Sequence, residues 1–395
     1  MGDKLSRLAF SLYGFAFFNK FLLLTPVYTI FMLANGVSDL QLSTMFIFSS
    51  LGTIFGQVPI AFAANHFGRR ITMIIGQLLK MTAILLWLYM PVYTGFVIGM
   101  VLWGIQSGAR SVAFEGLVYD TVRANGRARD YSRILGRKST YEALGVTFSA
   151  AGSLLMFLGY GWVTWLSVLG LVLSIVCLLM FPKSSGIKEK KIQSGHLIKL
   201  MKTGFKLCLK TPCLLSIMLF TILMVNIPFL DDFLSPIAMQ LGIRAEYVGI
   251  VSFFLLLCAT TGQRLAYRFS RMSDIAVYLL VGLVGALYVC FAALYTKDAL
   301  WILGIAYMIF YGLFTLLYSR FQHLIPRRNR TIVLSLYTTL TYLVYIMVCG
   351  IIGLGSSLGS WRYSIMILGI LLFILCGWGI GFLRYRCKIS IGCTE

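Results

Sequence analysis

Twelve long apolar stretches, separated by short polar loops, dominate this sequence of 395 residues. A helix needs about 20 mainly apolar residues to cross the hydrocarbon core of a bilayer. Mean hydropathy is +0.87, and only 12% of the residues are charged. Because open strands leave backbone groups unsatisfied in lipid, the sequence predicts an all-α membrane protein with twelve transmembrane helices. We place these spans, in chain order, at 8–33, 42–64, 71–90, 94–118, 140–158, 162–181, 213–240, 247–266, 273–294, 299–318, 331–354 and 363–383.

The basic residues are distributed unevenly between the two sides of this layout. Of 34 Lys and Arg residues, the loops of one side contain only Arg244, Lys297 and Arg362. Nearly all the others lie at the termini or in the opposite loops. The positive-inside rule makes that basic side cytoplasmic and predicts a multi-pass protein of the cytoplasmic (inner) membrane with both termini cytoplasmic. Since topology accounts for the net charge of +21, no nucleic-acid partner is predicted.

The only long loop, residues 182–211, contains eight lysines and one acid. Its part from 196 to 210 has helical amphipathicity, which predicts a helix lying on the anionic lipids of the inner leaflet. A regulatory or partner-docking role is the alternative. The loop divides the chain into a six-helix bundle at 1–181 and a second bundle with a short cytoplasmic tail at 212–395.

A weak internal repeat supports two related halves. The loop after span two reads Asn65-His66-Phe67-Gly68-Arg69, and the loop after span eight reads Tyr267-Arg268-Phe269-Ser270-Arg271. Two pseudo-symmetric helical halves are a recurrent transporter plan, with the substrate bound near the midplane. The repeat and the six-plus-six layout together favour a transporter.

Two stretches carry a family resemblance. The first runs from Ala61 to Arg70 and resembles the G-x-x-x-D-R-x-G-R-R signature of the major facilitator superfamily between spans two and three. The second runs from Gly108 to Arg137 and resembles one subgroup of that family, in which span four ends in a Leu-x-Tyr-Asp element, here Leu117-Val118-Tyr119-Asp120. The resemblance covers essentially the whole chain and implies two six-helix bundles that transport a solute by alternating access.

The family signature also implies an inner gate. In the family, an acid at the end of span two caps a neighbouring helix and joins a charge cluster that closes the cytoplasmic side; here that position is Asn65. Gly68 permits a tight turn, and Asp120 could pair with Arg69 or Arg70. We predict that these residues form an inner latch. The simpler alternative is positive-inside charge combined with turn chemistry.

Ionisable residues inside spans are costly and usually mark a pathway or an ion pair. The chain has six such residues, which are Lys20, Lys80, Arg110, Glu115, Asp231 and Asp232.

Helical geometry limits which of these residues can share a cavity. Arg110 and Glu115 are separated by roughly 140° around a helix, so only one of them points directly into a given cavity, and we favour Arg110. Asp231 and Asp232 differ by about 100°, which favours one central carboxylate, while Asp232 could approach the outer surface instead. Two prolines flank this pair and predict a kink or an outer gating element in span seven.

These charges predict an anionic substrate. The expected binding residues are Asn19, Lys20, Lys80, Arg110 and Asp231. A carboxylate relieves the cost of a buried cation, so we expect a carboxylate on a moderately apolar frame, siderophore-like metabolites included. Aromatic residues of span one, and Tyr307 and Tyr311 of span ten, could provide apolar walls. Neutralisation of Glu115 or Asp231 could couple transport to protons.

Other functions remain open at this stage. A drug-type proton antiporter is one alternative, although span five lacks the Gly-Pro element typical of family exporters. A non-transporting receptor on the same scaffold is another, supported by neutral residues at Gln57 and Asn65. No nucleophile–base pair, phosphate loop or metal-ligand cluster is recognisable, so we expect no enzymatic activity, no cofactor and no metal. We also expect a monomer.

Overall fold

The computed structural model describes residues 2–124, 131–181, 205, 211–269, 272–325 and 330–392. Within these ranges the chain is almost entirely helical and contains no β-strand. The prediction of an all-α membrane protein is confirmed. Apart from Phe205 and Thr211, the predicted linker and its amphipathic helix lie outside the described residues.

The described residues form two compact units, with unit 1 inside Met1–Ile198 and Arg244–Ile250 and unit 2 inside Lys199–Ile243 and Val251–Glu395. The first seven helices are α1 (Gly2–Lys20), α2 (Tyr28–Ala34), α3 (Asp39–Phe67), α4 (Arg69–Tyr89), α5 (Tyr93–Ala124), α6 (Tyr131–Ser149) and α7 (Tyr160–Met180). The next seven are α8 (Pro212–Asn226), α9 (Leu234–Gln240), α10 (Val248–Leu265), α11 (Asp274–Leu294), α12 (Leu300–Leu324), α13 (Arg330–Ser356) and α14 (Trp361–Gly392). The domain boundaries expected around the linker stay a prediction.

Eight described segments are long and apolar enough to cross a membrane, and they correspond to the predicted spans three and six to twelve. Helices also occupy the predicted spans one, two, four and five, as α1 with α2, α3, α5 and α6. The last of these continues as two 3₁₀ segments, Ala150–Gly152 and Leu154–Leu158.

Span one differs from the single helix expected over 8–33. The helix stops after Lys20 and resumes at Tyr28. Pro26 explains the break, because proline lacks a backbone N–H and its ring clashes with the preceding turn. The Ser167 side chain of α7 accepts a hydrogen bond from the freed Leu24 N–H at 2.9 Å, so the opened backbone is partly satisfied inside unit 1.

Span seven is interrupted in the same way, and the predicted kink is confirmed. Helix α8 ends at Asn226, and the chain passes through Pro228 and a 3₁₀ turn at Asp231–Phe233 before α9 begins. The Tyr288 hydroxyl of α11 donates to the Pro228 carbonyl at 2.5 Å. The break therefore places both acids of span seven on an irregular segment.

Each unit has its own apolar core near the basic ends of its helices. In unit 1 the core residues include Leu12 and Phe15 of α1, which pack with Phe114 of α5. In unit 2, Met218 of α8 and Phe321 of α12 belong to one cluster of buried residues. These clusters anchor the basic end of each bundle.

Close helix packing depends on small residues at two comparable positions. A Cβ built on Gly104 of α5 would lie 2.0 Å from the Ser49 carbonyl oxygen of α3. A Cβ on Gly262 of α10 would lie 1.9 Å from the Met308 carbonyl oxygen of α12. Without a hydrophobic driving force in lipid, such backbone approach is a main source of helix association. Glycine therefore allows span two to pack closely against span four, and span eight against span ten.

Replacing Gly104 with Ala should destabilise the protein by about 1–3 kcal/mol, because the methyl group forces α3 and α5 apart. Thermal unfolding in detergent measures the change. Gly350→Ala is the matched control, since no neighbouring helix among the described residues comes within 4 Å of its Cβ position in α13. Alanine there should be neutral or favourable by up to about 1 kcal/mol. Equal melting temperatures for the two variants would contradict the packing account.

Candidate functional site

A buried polar network surrounds Lys80 in unit 1. Lys80 is only 5% exposed, and its Nζ donates to the Asn19 carbonyl oxygen at 3.3 Å. The Asn19 side-chain oxygen accepts a hydrogen bond from Gln77 Nε2 at 3.1 Å. Ser174 Oγ in turn donates to Gln77 Oε1 at 3.3 Å. The network therefore fixes both the end of α1 and the direction of the Asn19 amide.

Stacked aromatic rings support the same lysine. Lys80 Nζ lies 4.8 Å from the centroid of the Trp103 ring, in cation–π geometry. That indole stacks on Trp87 at 5.4 Å, and Tyr28 stacks on both indoles, at 5.8 and 6.3 Å. The rings join α2, α4 and α5, and the ring that contacts the ammonium group belongs to α5.

Lys20 and Lys80 line one cavity of about 160 Å³ in unit 1. Such a volume suits a small polar group better than a drug-sized molecule, whose pockets measure roughly 300–1,000 Å³. The lining also includes amides and hydroxyls that can donate hydrogen bonds, on Asn19, Thr25, Gln106, Ser107 and Ser149. Two ammonium groups with these donors form a subsite suited chemically to a carboxylate.

The two acids of span seven each pair with a tyrosine in unit 2. Tyr311 OH of α12 donates to Asp231 Oδ2 at 2.5 Å, and Tyr345 OH of α13 donates to Asp232 Oδ2 at 2.5 Å. Asp231 is exposed and Asp232 is half-buried. The Tyr307 side chain, one turn from Tyr311, is buried.

The structure brings some predicted residues together and leaves others undetermined. Asn19, Lys20 and Lys80 share one cavity, whereas Asp231 lies in unit 2. Four other predicted site residues, Asn65, Arg110, Glu115 and Asp120, have side chains outside the described part of the structure. Their assigned roles stay predictions.

The basic ends of the bundles contain fixed arginines. Gly68 has φ = +88°, a conformation that favours glycine, and it provides the predicted tight turn between α3 and α4. Arg70 Nη2 donates to the Leu179 carbonyl at the end of α7. In unit 2, Arg320 Nη1 lies 2.7 Å from Asp274 Oδ1. The first contact is compatible with a structural role for Arg70, and the latch with Asp120 stays a prediction.

Sequence reasoning missed several polar residues of these clusters. Gln77 lies three residues before Lys80, a spacing that places both on one helix face. Gln106 is 4% exposed within α5, and a neutral amide inside a span is a weaker signal than a charge. Tyr345 carries no sequence signal that distinguishes it from the other 20 tyrosines.

Replacing Asn19 with Ala should lower the free energy of unfolding by about 1–3 kcal/mol, because the buried Gln77 amide loses its acceptor. Thermal unfolding in detergent reads out the loss. Ser107→Ala serves as the control, since Ser107 lines the same cavity but its hydroxyl donates, within the described part of the chain, to Trp103 O of its own helix. If the two variants have the same melting temperature, the network does not stabilise the fold.

Comparisons with known proteins agree with this architecture. The sequence matches the Major Facilitator Superfamily over residues 9–349, and no curated protein matches it. Among solved structures, a nucleoside transporter is 12% identical with a TM-score of 0.72, covering 98% of this chain and 100% of its own. A D-xylose–proton symporter is 13% identical with a TM-score of 0.70, and coverage is 94% and 96%. An auto-inhibited peptide transporter of the POT family is 11% identical with a TM-score of 0.72, covering 97% of each chain. The chain therefore belongs to the major facilitator superfamily.

Proposed function

We propose that this protein is a proton-coupled secondary transporter of a small organic anion, working by alternating access in the cytoplasmic membrane with both termini cytoplasmic. The substrate carries carboxylates on a moderately apolar frame, a class that includes siderophore-like metabolites. The single observation that carries the proposal is the cavity lined by Lys20 and Lys80 in unit 1.

The geometry around Lys80 supports anion binding. Its ammonium group is confined between the Asn19 carbonyl and the Trp103 ring, so little reorganisation is needed when a carboxylate arrives. Charge-assisted hydrogen bonds to a carboxylate are roughly twice as strong as neutral ones. The amide of Gln106 and the hydroxyl of Ser107 add neutral donors that orient the substrate. The ammonium groups of Lys20 and Lys80 would repel a cationic drug from this cavity.

Asp231 is our candidate for the proton-binding group. It lies on the irregular segment of span seven, it is exposed, and Tyr311 fixes one of its oxygens. A carboxylate in a transmembrane segment is a recurrent element of proton relays. The similarity in fold to a proton symporter is compatible with this role.

Substrate binding is tested with the purified protein in liposomes, by counterflow of labelled mono-, di- and tricarboxylates. Lys80→Gln should raise the KM of the transported carboxylate about tenfold or more, because it removes one charge-assisted contact. Lys297→Gln, an exposed lysine outside the cavity, should leave KM unchanged. Melting curves show whether both variants remain folded.

The same experiment separates the alternatives. Unchanged transport by the Lys80→Gln variant would show that Lys80 is not part of the binding site. Transport of cationic amphiphiles but of no carboxylate would instead indicate a drug-type antiporter. Binding of a carboxylate without any flux would indicate a receptor.

Proton coupling is tested separately with Asp231→Asn. The variant should retain counterflow exchange but should lose the stimulation that a pH gradient gives the wild type, because an amide cannot bind and release the proton. Asp298→Asn, exposed near the start of α12, is the matched control and should stay gradient-dependent. Stimulation of Asp231→Asn at the wild-type level would exclude Asp231 as the coupling group.

A further inference from the structure

Unit 2 contains a second, larger cavity that the transport site does not include. Its volume is about 610 Å³, and it lies among α8, α11, α12 and α14. The lining residues belong to the second and third turns of α8, the start of α11, the last two turns of α12 and the middle of α14. At a rise of 1.5 Å per residue, the cavity extends roughly two to three helical turns from the basic end of the bundle.

The interior of this cavity is apolar and partly open. Phe220 packs edge-on against Tyr278 at 4.8 Å and is stacked with Trp378 at 6.1 Å. Trp378 is 43% exposed, and Ile275 and Leu279 of α11 are each 57% exposed. Exposed apolar side chains on a spanning helix are typical of lipid contact, so the aromatic cavity adjoins a surface suited to acyl chains.

The rim of the cavity carries both a cation and an anion. Arg320 and Asp274 form an ion pair of 2.7 Å, and their side chains are 23% and 56% exposed. A hydrogen bond of 2.5 Å to the Met272 carbonyl also holds the guanidinium in place. His323 and Ser273 line the same rim. A group with a phosphate and an ammonium in close proximity matches this arrangement better than a purely anionic group.

We propose that this cavity binds one phospholipid with a zwitterionic, primary-amine headgroup from the leaflet on the basic side. One acyl chain occupies the space beside Phe220, Tyr278 and Trp378. The phosphate contacts Arg320 and His323, and the ammonium contacts Asp274. Basic sites between transmembrane helices on this side of a membrane are recurrent headgroup sites. This proposal concerns a site separate from the Lys80 cavity and does not depend on the transported substrate.

Native mass spectrometry of the delipidated full-length protein tests the site. The protein is mixed with equal amounts of phosphatidylethanolamine and phosphatidylglycerol with identical acyl chains. The wild type should retain one phosphatidylethanolamine in preference to phosphatidylglycerol, by about tenfold, since the ammonium adds one charge-assisted contact. Equal retention of the two lipids, or a preference for phosphatidylglycerol, would overturn the proposal.

Three further measurements locate the lipid. Asp274→Asn should abolish the headgroup preference while phosphatidylglycerol binding persists. Ile217→Phe fills the cavity and should reduce retention of both lipids about tenfold. Ile305→Phe, at an exposed position outside the cavity, is the control and should leave retention unchanged. Soluble glycerophosphoethanolamine should not compete. Wild-type behaviour of Asp274→Asn or Ile217→Phe, or full competition by the soluble headgroup, would contradict the assignment.

Discussion

Every polar group within the hydrocarbon core must find its partner inside the protein, because the bilayer offers none. This constraint explains why the two interrupted spans are the chemically informative ones. Breaking span one frees the Leu24 N–H, which Ser167 satisfies from α7. Breaking span seven exposes the Pro228 carbonyl, to which Tyr288 donates from α11. A helix can open in lipid only where a neighbouring helix supplies such a group, so the breaks and their partners form one structural unit.

The same constraint determines how charges are held. Lys80 is buried, and a buried ammonium is tolerated only with hydrogen bonds or a favourable field around it. The Asn19 carbonyl accepts a hydrogen bond from the ammonium group, and the Trp103 ring attracts the same group through a cation–π interaction. Because the Asn19 carbonyl belongs to the last turn of α1, the break in span one and the position of the cation depend on each other. The proposed substrate subsite and the geometry of the helix break are therefore linked through Asn19.

The sequence was sufficient to predict the spans and the charged residues within them, but it did not predict their partners. Hydropathy and Lys/Arg bias are properties of whole segments. A prediction based on them therefore stays correct even where a single residue does not fit the pattern. Lys20 and Lys80 could be proposed for one site because an ionisable residue inside a span is rare. The partnership of Gln77 with Asn19, or of Tyr345 with Asp232, depends on how helices pack. That information is not contained in the local sequence, since amides and tyrosines also occur in spans for packing reasons alone.

The candidate proton-binding carboxylate, Asp231, and the two cavity lysines, Lys20 and Lys80, belong to different units. This separation has an energetic consequence for the proposed transport. Moving one elementary charge across a membrane potential changes the free energy by about 2.3 kcal/mol per 100 mV. An inside-negative potential therefore opposes the entry of a carboxylate bound at Lys80. One proton carried by Asp231 together with a monoanion makes the step electroneutral and removes that opposition. Separate residues for the anion and the proton are advantageous in this arrangement, because a proton that bound to the substrate carboxylate itself would weaken its contact with the ammonium group. The placement of Lys80 and Asp231 in different units therefore supports the proposed coupled movement of an anion and a proton.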